Sequence, residues 1–292
     1  MMRKLARVQE SYFFYIGGLL SSRDMKLLEP LKTVAANSPM LENLIVDFKN
    51  IPMTLEHMIS SLGTDFTLPR LKTFHLGGCL DPSPEDIDLP KPSSHGASHF
   101  QAFLSRHPRL NELKLDCPFF HEFHKKFDPA ILAQGLPMLL AFSGPRFIYE
   151  QLLYYPIAQQ IRGLSIGGWN WESGRPGPEK GSTDKLHLPE LRSLEIQEDN
   201  VPKAMEILET VLPAAAGLES LYTPAMPHNY HKDFLVLLTH TPKLQDICLW
   251  NYDSDFNGKD APVPSGFNRI ELVVAMKDMF PDLEIECLGD WD

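Results

Sequence analysis

A single motif recurs along the chain: a proline, one variable residue, and then apolar residues in the pattern L-x-x-L-x-L. The clearest copy begins at Pro69, where Leu71, Phe74 and Leu76 occupy the three apolar positions. Three further copies begin at Pro108, Pro189 and Pro242. A motif that returns at intervals of tens of residues predicts a repeat architecture, in which each unit packs on its neighbours.

We define the anchor of a unit as the first apolar position of its motif. The anchors are Leu41, Leu71, Leu110, Leu139, Ile161, Leu191, Leu218, Leu244 and Leu283. Successive differences between these residue numbers are 30, 39, 29, 22, 30, 27, 26 and 39. The residues 14–18 match the strand ends that start at Phe74 and Leu164, so we place an earlier unit with its anchor at Ser11. In the last unit the strand pattern is one residue shorter.

Each anchor begins a predicted strand, and helical patterns lie between the strands. These patterns cover 53–62, 100–104, 131–136, 147–161, 201–212, 234–238 and 270–280. Each helix leads to the proline of the next motif, which disfavours the α conformation of the residue before it. We predict an α/β fold, a right-handed solenoid (horseshoe) with parallel strands on the concave face and helices on the convex face. It forms one domain over 1–292, with about nine or ten irregular units of 22–39 residues.

Three long segments, 81–97, 169–187 and 251–266, follow the strands that begin at Leu71, Ile161 and Leu244. They are rich in Pro, Gly, Ser, Asp and Glu, which is typical of loops. Because they follow parallel strands, we expect them at the same edge of the sheet. They are either tolerated surface insertions or a binding rim.

The composition limits the kinds of binding partner and the cellular compartment that we expect. The formal net charge is −11, which opposes binding to nucleic acid or to anionic lipid. The four cysteines are widely spaced, with no C-x-x-C pair, and we expect reduced thiols in an intracellular protein, cytoplasmic or nuclear. The apolar run 12–20 follows Arg3, Lys4 and Arg7 as in a signal peptide. A repeat strand is the preferred interpretation, and the run is too short to span a membrane.

Few residues suggest chemistry. His121 with His124, and His228 with His231 in a predicted loop, could contribute two metal ligands each, but neither pair belongs to a complete metal motif. The pairs Gly77–Gly78 and Gly167–Gly168 follow strands without a phosphate-binding pattern, and we assign them to tight turns. We predict no enzyme activity, no metal and no cofactor.

Strand side chains alternate between faces, so the residues between the buried leucines point away from the helices. This face is polar and mostly acidic. We predict that it binds another protein, with a basic surface as the complementary partner. The candidate binding residues are His75, Glu112, Lys114, Asp116, Glu195, Asp246 and Trp250 on the strands, and Trp169 and Trp171 in a long loop. Each tryptophan could instead cover the core.

The recurring motif resembles that of the leucine-rich-repeat superfamily, whose period is about 20–29 residues. More narrowly, it is similar to the irregular repeats of fungal F-box-like proteins. The best match is Leu71–Cys79, with Cys79 at the family's Asn/Cys ladder position. Most other units depart from that ladder: Asn50 and Asn200 fall one place late, and Cys117 falls one place early. No F-box is readable near the N-terminus.

We predict a non-catalytic, monomeric protein-interaction scaffold. The resemblance implies a more specific version of this function, substrate recognition for a ubiquitin ligase of the F-box type. Two alternatives stay open. One is a hydrolase or a metal-dependent enzyme on an α/β fold. The other is a truncated gene product without retained function.

Overall fold

The structure is a computed structural model. It describes residues 11–15, 32–33, 37–52, 59, 63, 66–80, 96–116, 134–145, 148–149, 152–167, 186–198, 200–250 and 269–288. These residues belong to two compact units, one up to Ile157 and one from Ala158 onward. Each unit contains five strands.

The strands of the first unit are β1 (Ser11–Tyr15), β2 (Asn43–Pro52), β3 (Thr73–Leu80), β4 (Glu112–Leu115) and β5 (Ala141–Pro145). Those of the second are β6 (Gly163–Gly167), β7 (Ser193–Gln197), β8 (Ser220–Pro224), β9 (Asp246–Trp250) and β10 (Glu284–Leu288). Within each unit the strands follow one another in sequence order, and all their pairings are parallel. The prediction of an α/β fold with a parallel sheet is confirmed.

Every one of the nine predicted anchors closes the same backbone turn. The anchor N–H donates to the carbonyl oxygen three residues earlier, at distances of 2.9–3.3 Å. Examples are the bonds from Leu71 to Leu68 and from Leu244 to Thr241. The motif proline follows the residue whose carbonyl accepts. Its fixed φ suits the second position of such a turn, so the motif encodes a turn as well as the end of a helix.

The starts of β3, β4, β5, β7, β8 and β9 share a second feature. The carbonyl oxygen of Lys72 accepts from the backbone N–H groups of both Asn111 and Glu112, at 2.7 and 3.0 Å. The carbonyl of Arg192 accepts in the same way from Glu219 and Ser220, at 2.8 and 2.9 Å. These shared acceptors lie one residue after an anchor. They hold these consecutive repeats in one register, in which the residues two places after the anchors pair with one another.

Leucine-type residues of the motif form continuous buried rows across the strands. In the first unit Leu44, Phe74 and Leu113 are aligned by the strand register and are 0% exposed. In the second unit the equivalent row contains Leu194, Leu221 and Ile247, which are 0–1% exposed. The side chains are large and aliphatic or aromatic, so burying each one contributes about 1.5–3 kcal/mol.

Four α-helices are described: α1 (Gly96–Ser105), α2 (Val201–Val211), α3 (His231–Leu238) and α4 (Arg269–Met279). They confirm the helices predicted over 100–104, 201–212, 234–238 and 270–280. Helix α1 packs on the buried side of β3, where the rings of Phe74 and Phe103 are 5.1 Å apart. Helix α2 begins at Asn200, whose Oδ1 accepts from Lys203 N at 3.2 Å. Asn200 is therefore an N-cap.

The first strand exists, but the predicted anchor at Ser11 is wrong. Ser11 pairs with Asn43, which lies two residues after the anchor Leu41. The unit therefore starts two residues earlier than predicted. Alternation along a strand has a period of two, so a shift of two residues leaves the pattern unchanged and the sequence alone could not detect it. In the last unit Glu284, directly after the anchor Leu283, pairs with Asp246, which confirms the shortened spacing.

Two local predictions are wrong. The helix over 147–161 stops near Leu152, and Pro156–Gln160 forms a 3₁₀ helix instead, because a proline inside an α-helix removes a donor and clashes with the preceding turn. The predicted tight turn at Gly77–Gly78 is absent, since both glycines lie within β3. A Cβ on Gly77 would lie 3.0 Å from His75 Nε2, the end of a partly exposed side chain that would have to shift.

Most of the remaining local predictions fall outside the described residues. These include nearly all of the three long loops and most of the helix over 53–62. No α-helix within the described ranges is long and apolar enough to cross a membrane. The single-domain prediction over 1–292 stays a prediction.

Candidate interaction surface

In each unit, the side of the strands opposite the buried rows carries polar residues, as the alternation predicts. In the first unit, the aligned positions on this side are Asn43, Thr73 and Glu112, followed by Ile45, His75 and Lys114. These side chains are half-buried or exposed. We call this side the first polar face.

Charges on the first polar face are paired with one another. The Oδ2 atom of Asp116 lies 3.1 Å from Lys114 Nζ and 3.4 Å from His75 Nε2. Thr73 Oγ1 donates to Glu112 Oε2 at 3.5 Å. The structure therefore brings four predicted site residues together, and it surrounds the Asp116 carboxylate with cationic or ionisable groups.

In the second unit the corresponding side is strongly acidic. We define the acidic face by two aligned rows of side chains and the tryptophan above them. The rows are Ser193, Ser220, Asp246 and Glu284, and then Ser165, Glu195, Tyr222, Cys248 and Glu286; the tryptophan is Trp250. The rows contain four carboxylates and neither Lys nor Arg. Three predicted site residues (Glu195, Asp246 and Trp250) lie on this face.

Hydrogen bonds fix two of the carboxylates. Ser220 Oγ donates to Asp246 Oδ2 at 3.0 Å, and Gln197 Nε2 donates to Glu195 Oε1 at 2.7 Å. Both donors are neutral, so they orient the carboxylates without cancelling their charge. Among the described residues, no ion pair joins a carboxylate of the acidic face to Lys or Arg.

Tyr222 is the most exposed aromatic residue of the acidic face, and the sequence analysis missed it. Its exposed fraction is 41%. The register aligns it with Glu195 on one side and Cys248 on the other. It lies four residues after its anchor Leu218, as Glu195 does after Leu191. The same arithmetic that selected Glu195 would therefore have found it.

Trp250 closes one end of the acidic face. The side chain is half-buried, and its Nε1 donates to the carbonyl oxygen of Ile196 at 3.2 Å. Ile196 lies on β7, two strands away from β9. The indole therefore extends across β8, which gives Trp250 both a role in the fold and a partly exposed ring.

Cys248 lies on the acidic face but is 3% exposed. Burial raises the pKa of its thiol, and the negative charges of Glu286, Cys287 and Glu195 raise it further. Both effects oppose formation of the thiolate. Cys248 and Cys287 are not in disulfides.

His228 and His231 do not form a metal site in the structure. His231 begins α3 rather than lying in a loop as predicted, and its Nε2 is 2.9 Å from the carbonyl oxygen of Met226. His228 Nδ1 is 3.9 Å from Glu271 Oε2. Within the described ranges no three His, Cys, Asp or Glu side chains are placed to hold a metal ion. The pair His121 and His124 lies outside these ranges.

His107 connects two successive repeats of the first unit, on the buried side of the strands. The ring is 1% exposed, its Nε2 accepts from Leu68 N at 2.9 Å, and its Nδ1 lies 2.6 Å from the carbonyl oxygen of Phe103. The tautomer that satisfies both contacts is neutral and carries its proton on Nδ1. Desolvation lowers the pKa of His107 from 6.5 to about 4.

A groove of about 510 Å³ lies on the helical side of the second unit, between α3 and α4. Its lining combines apolar residues, among them Leu235, Leu272 and Ala275, with polar ones such as Lys232 and Glu271. Val236 and Val274, on the same two helices, are 54% and 53% exposed. The sequence analysis did not predict this groove. Apolar residues on the outer face of a helix cannot be distinguished by sequence from apolar residues that pack in the core.

Trp169 and Trp171, the remaining predicted site residues, lie outside the described residues.

No protein-family model matches this chain, and a search of curated proteins finds no match to it.

Proposed function

We propose that the chain is a non-catalytic protein-interaction scaffold of the leucine-rich-repeat type, a solenoid whose strand faces bind a partner. One observation carries the proposal: the same turn and the same shared backbone acceptor recur from unit to unit, around buried rows of motif leucines. Repetition of this kind builds an extended surface of parallel strands, which repeat proteins use for binding.

The side chains on that surface suit binding to another protein. An exposed tyrosine and a partly exposed tryptophan lie among charged residues, and aromatic residues are enriched at the centres of protein interfaces. The acidic face favours a partner with a basic patch, since complementary charge accelerates association and excludes wrong partners. The prediction of a basic partner thus applies chiefly to the second unit.

The sharper proposal is substrate recognition for a ubiquitin ligase of the F-box type, and it rests on the resemblance of the repeat motif alone. Mapping the 5′ end of the transcript tests it. An in-frame upstream segment that encodes an F-box would support the ligase version. A transcript with no in-frame coding sequence upstream of the Met1 codon would contradict the ligase version. The scaffold proposal would not be affected.

The scaffold proposal is tested by cross-linking in extracts of the cells that express the protein. One variant reverses charge on the strand side (Glu112→Lys with Glu195→Lys). A control variant makes the same charge change on exposed helical residues (Glu209→Lys with Asp278→Lys). We expect the strand-side variant to lose partners that the wild type and the control retain. Equal partner sets for all three proteins would refute the strand faces as the binding surface.

A further inference from the structure

The acidic face combines an exposed ring with carboxylates on either side of it. Tyr222 is 41% exposed and is aligned between Glu195 on β7 and Cys248 on β9. Beyond Cys248 in the same row is Glu286 on β10, which is exposed. The row thus presents a carboxylate, an aromatic ring and a second carboxylate in spatial order.

Among the residues that the structure describes, no Lys or Arg forms an ion pair with the carboxylates of this face. Asp246 and Glu195 are held by the neutral donors Ser220 and Gln197. On the first polar face, by contrast, Asp116 is paired with Lys114. Burial raises the pKa of the Cys248 thiol on this face, and the nearby charges of Glu286 and Glu195 raise it further.

We propose that the acidic face binds an extended peptide segment of a partner protein through two arginines spaced four residues apart. This inference rests on the scaffold function proposed above and names the chemistry of its partner. One guanidinium group stacks on Tyr222 and pairs with Glu195, and the second pairs with Glu286.

Arginine fits this arrangement better than lysine. Its planar guanidinium group stacks on an aromatic ring and forms two parallel hydrogen bonds with a carboxylate, whereas an ammonium group is a strongly hydrated point charge. Tyr222 and Glu195 are direct neighbours across the strands. A guanidinium group can therefore stack flat on the Tyr222 ring while its N–H groups donate to the Glu195 carboxylate.

The spacing follows from the geometry of the sheet. Glu195 and Glu286 lie on β7 and β10, three strand steps apart, which corresponds to about 14 Å. An extended peptide that runs across the strands advances about 3.3 Å per residue. About four residues of peptide therefore cover the distance between the two carboxylates.

A labelled peptide, acetyl-Ser-Arg-Ser-Ala-Ser-Arg-Ser-amide, provides the probe, and fluorescence anisotropy with the full chain measures its binding. We expect saturable binding that weakens with salt. Replacing both arginines by lysine should weaken it about fivefold, and replacing them by citrulline should abolish it. Equal affinity for the arginine and lysine peptides would overturn the proposal, because simple charge attraction would then suffice.

Variants locate the site. Glu195→Lys with Glu286→Lys should weaken binding at least tenfold, whereas Glu209→Lys with Asp278→Lys, an equal charge change on helices, should leave the affinity within twofold. Tyr222→Ala should weaken binding about fivefold, and Tyr222→Phe, which keeps the ring, should preserve it. If the helical control weakens binding as much as the strand pair, the acidic face is not the site.

The two experiments distinguish a failure of the arginine-peptide proposal from a failure of the scaffold proposal. If the wild type does not bind the arginine peptide while the strand-side variant still loses partners in the cross-linking experiment, the scaffold survives and its arginine specificity is wrong. If the strand-side variant loses no partners, the scaffold itself is refuted.

Discussion

The indole Nε1 of Trp250 on β9 donates to the carbonyl oxygen of Ile196 on β7 at 3.2 Å. In the ladder between β7 and β8, Ser220 N donates to Arg192 O, and further bonds in the same direction follow every two residues. Ile196 O is therefore the acceptor for residue 224. That residue is Pro224, which has no N–H to donate. Trp250 supplies the missing donor from the neighbouring strand.

We expect Trp250→Phe to lower the free energy of unfolding by about 1 kcal/mol beyond the change in ring size, because the Ile196 carbonyl loses its donor. Chemical denaturation of the purified chain measures this. Pro224→Ala restores a backbone N–H at the position that faces Ile196. The loss from Trp250→Phe should therefore be smaller in a Pro224→Ala background. Strictly additive effects of the two substitutions would contradict the assigned hydrogen bond.

The anchors could be predicted from the sequence because two independent constraints coincide there. The leucine pattern selects the buried face, and the proline selects the turn. At Leu71 and Leu244 both constraints agree, and the register follows. The first repeat, which contains β1, has neither the proline nor a leucine anchor near Ser11. Only the alternation of side chains was left to define its position. A shift of two residues was the result.

The interaction surface was less predictable, because it depends on contacts between units. The sequence placed Glu195 and Asp246 on the polar side correctly. It did not indicate that His75 lies beside Asp116, or that Ser220 donates to Asp246, since these contacts require the register of neighbouring strands. Nor did it indicate the hydrogen bond from the Trp250 indole. That bond depends on the missing backbone N–H of Pro224, which lies in a different repeat.

The buried ring of His107 makes stability depend on pH. Its pKa is about 4 in the folded chain, against 6.5 for an unperturbed histidine. Between these values the unfolded chain binds the proton and the folded chain does not, so the free energy of unfolding falls as the pH is lowered from 6.5 to 4. The full effect is about 3 kcal/mol, and it levels off below pH 4.

We expect His107→Gln to remove this component. Glutamine can still accept from Leu68 N, but it does not titrate. The difference in unfolding free energy between wild type and variant, measured by denaturation at a series of pH values, should shrink by about 3 kcal/mol between pH 7 and pH 4. A difference that is constant with pH would show that His107 is not the titrating group.

Gly217 is required by close contacts at the turn before β8. A Cβ at this position would collide with the guanidinium group of Arg192 and lie 3.0 Å from the carbonyl oxygen of Pro189. Arg192 Nη1 also donates to Gly217 O at 2.9 Å. We expect Gly217→Ala to destabilise the chain by about 1–3 kcal/mol, as measured by thermal or chemical denaturation.

The Arg192→Ala variant separates the two contacts of Gly217. In that background the guanidinium group is gone, and the cost of Gly217→Ala should fall to the part caused by the Pro189 carbonyl. An unchanged cost would place the whole effect in the backbone contact.

Thr223 lies in an apolar row of β8, is 0% exposed, and its Oγ1 has no hydrogen-bond partner in the described part of the chain. Replacing the hydroxyl by a methyl group of similar shape removes an unsatisfied buried polar atom. We expect Thr223→Val to raise the free energy of unfolding by about 1 kcal/mol. Thr241 is the matched control, because it is equally buried but donates to Leu238 O at 2.9 Å. Thr241→Val should therefore destabilise, and a loss of stability in both variants would show that Thr223 has a partner.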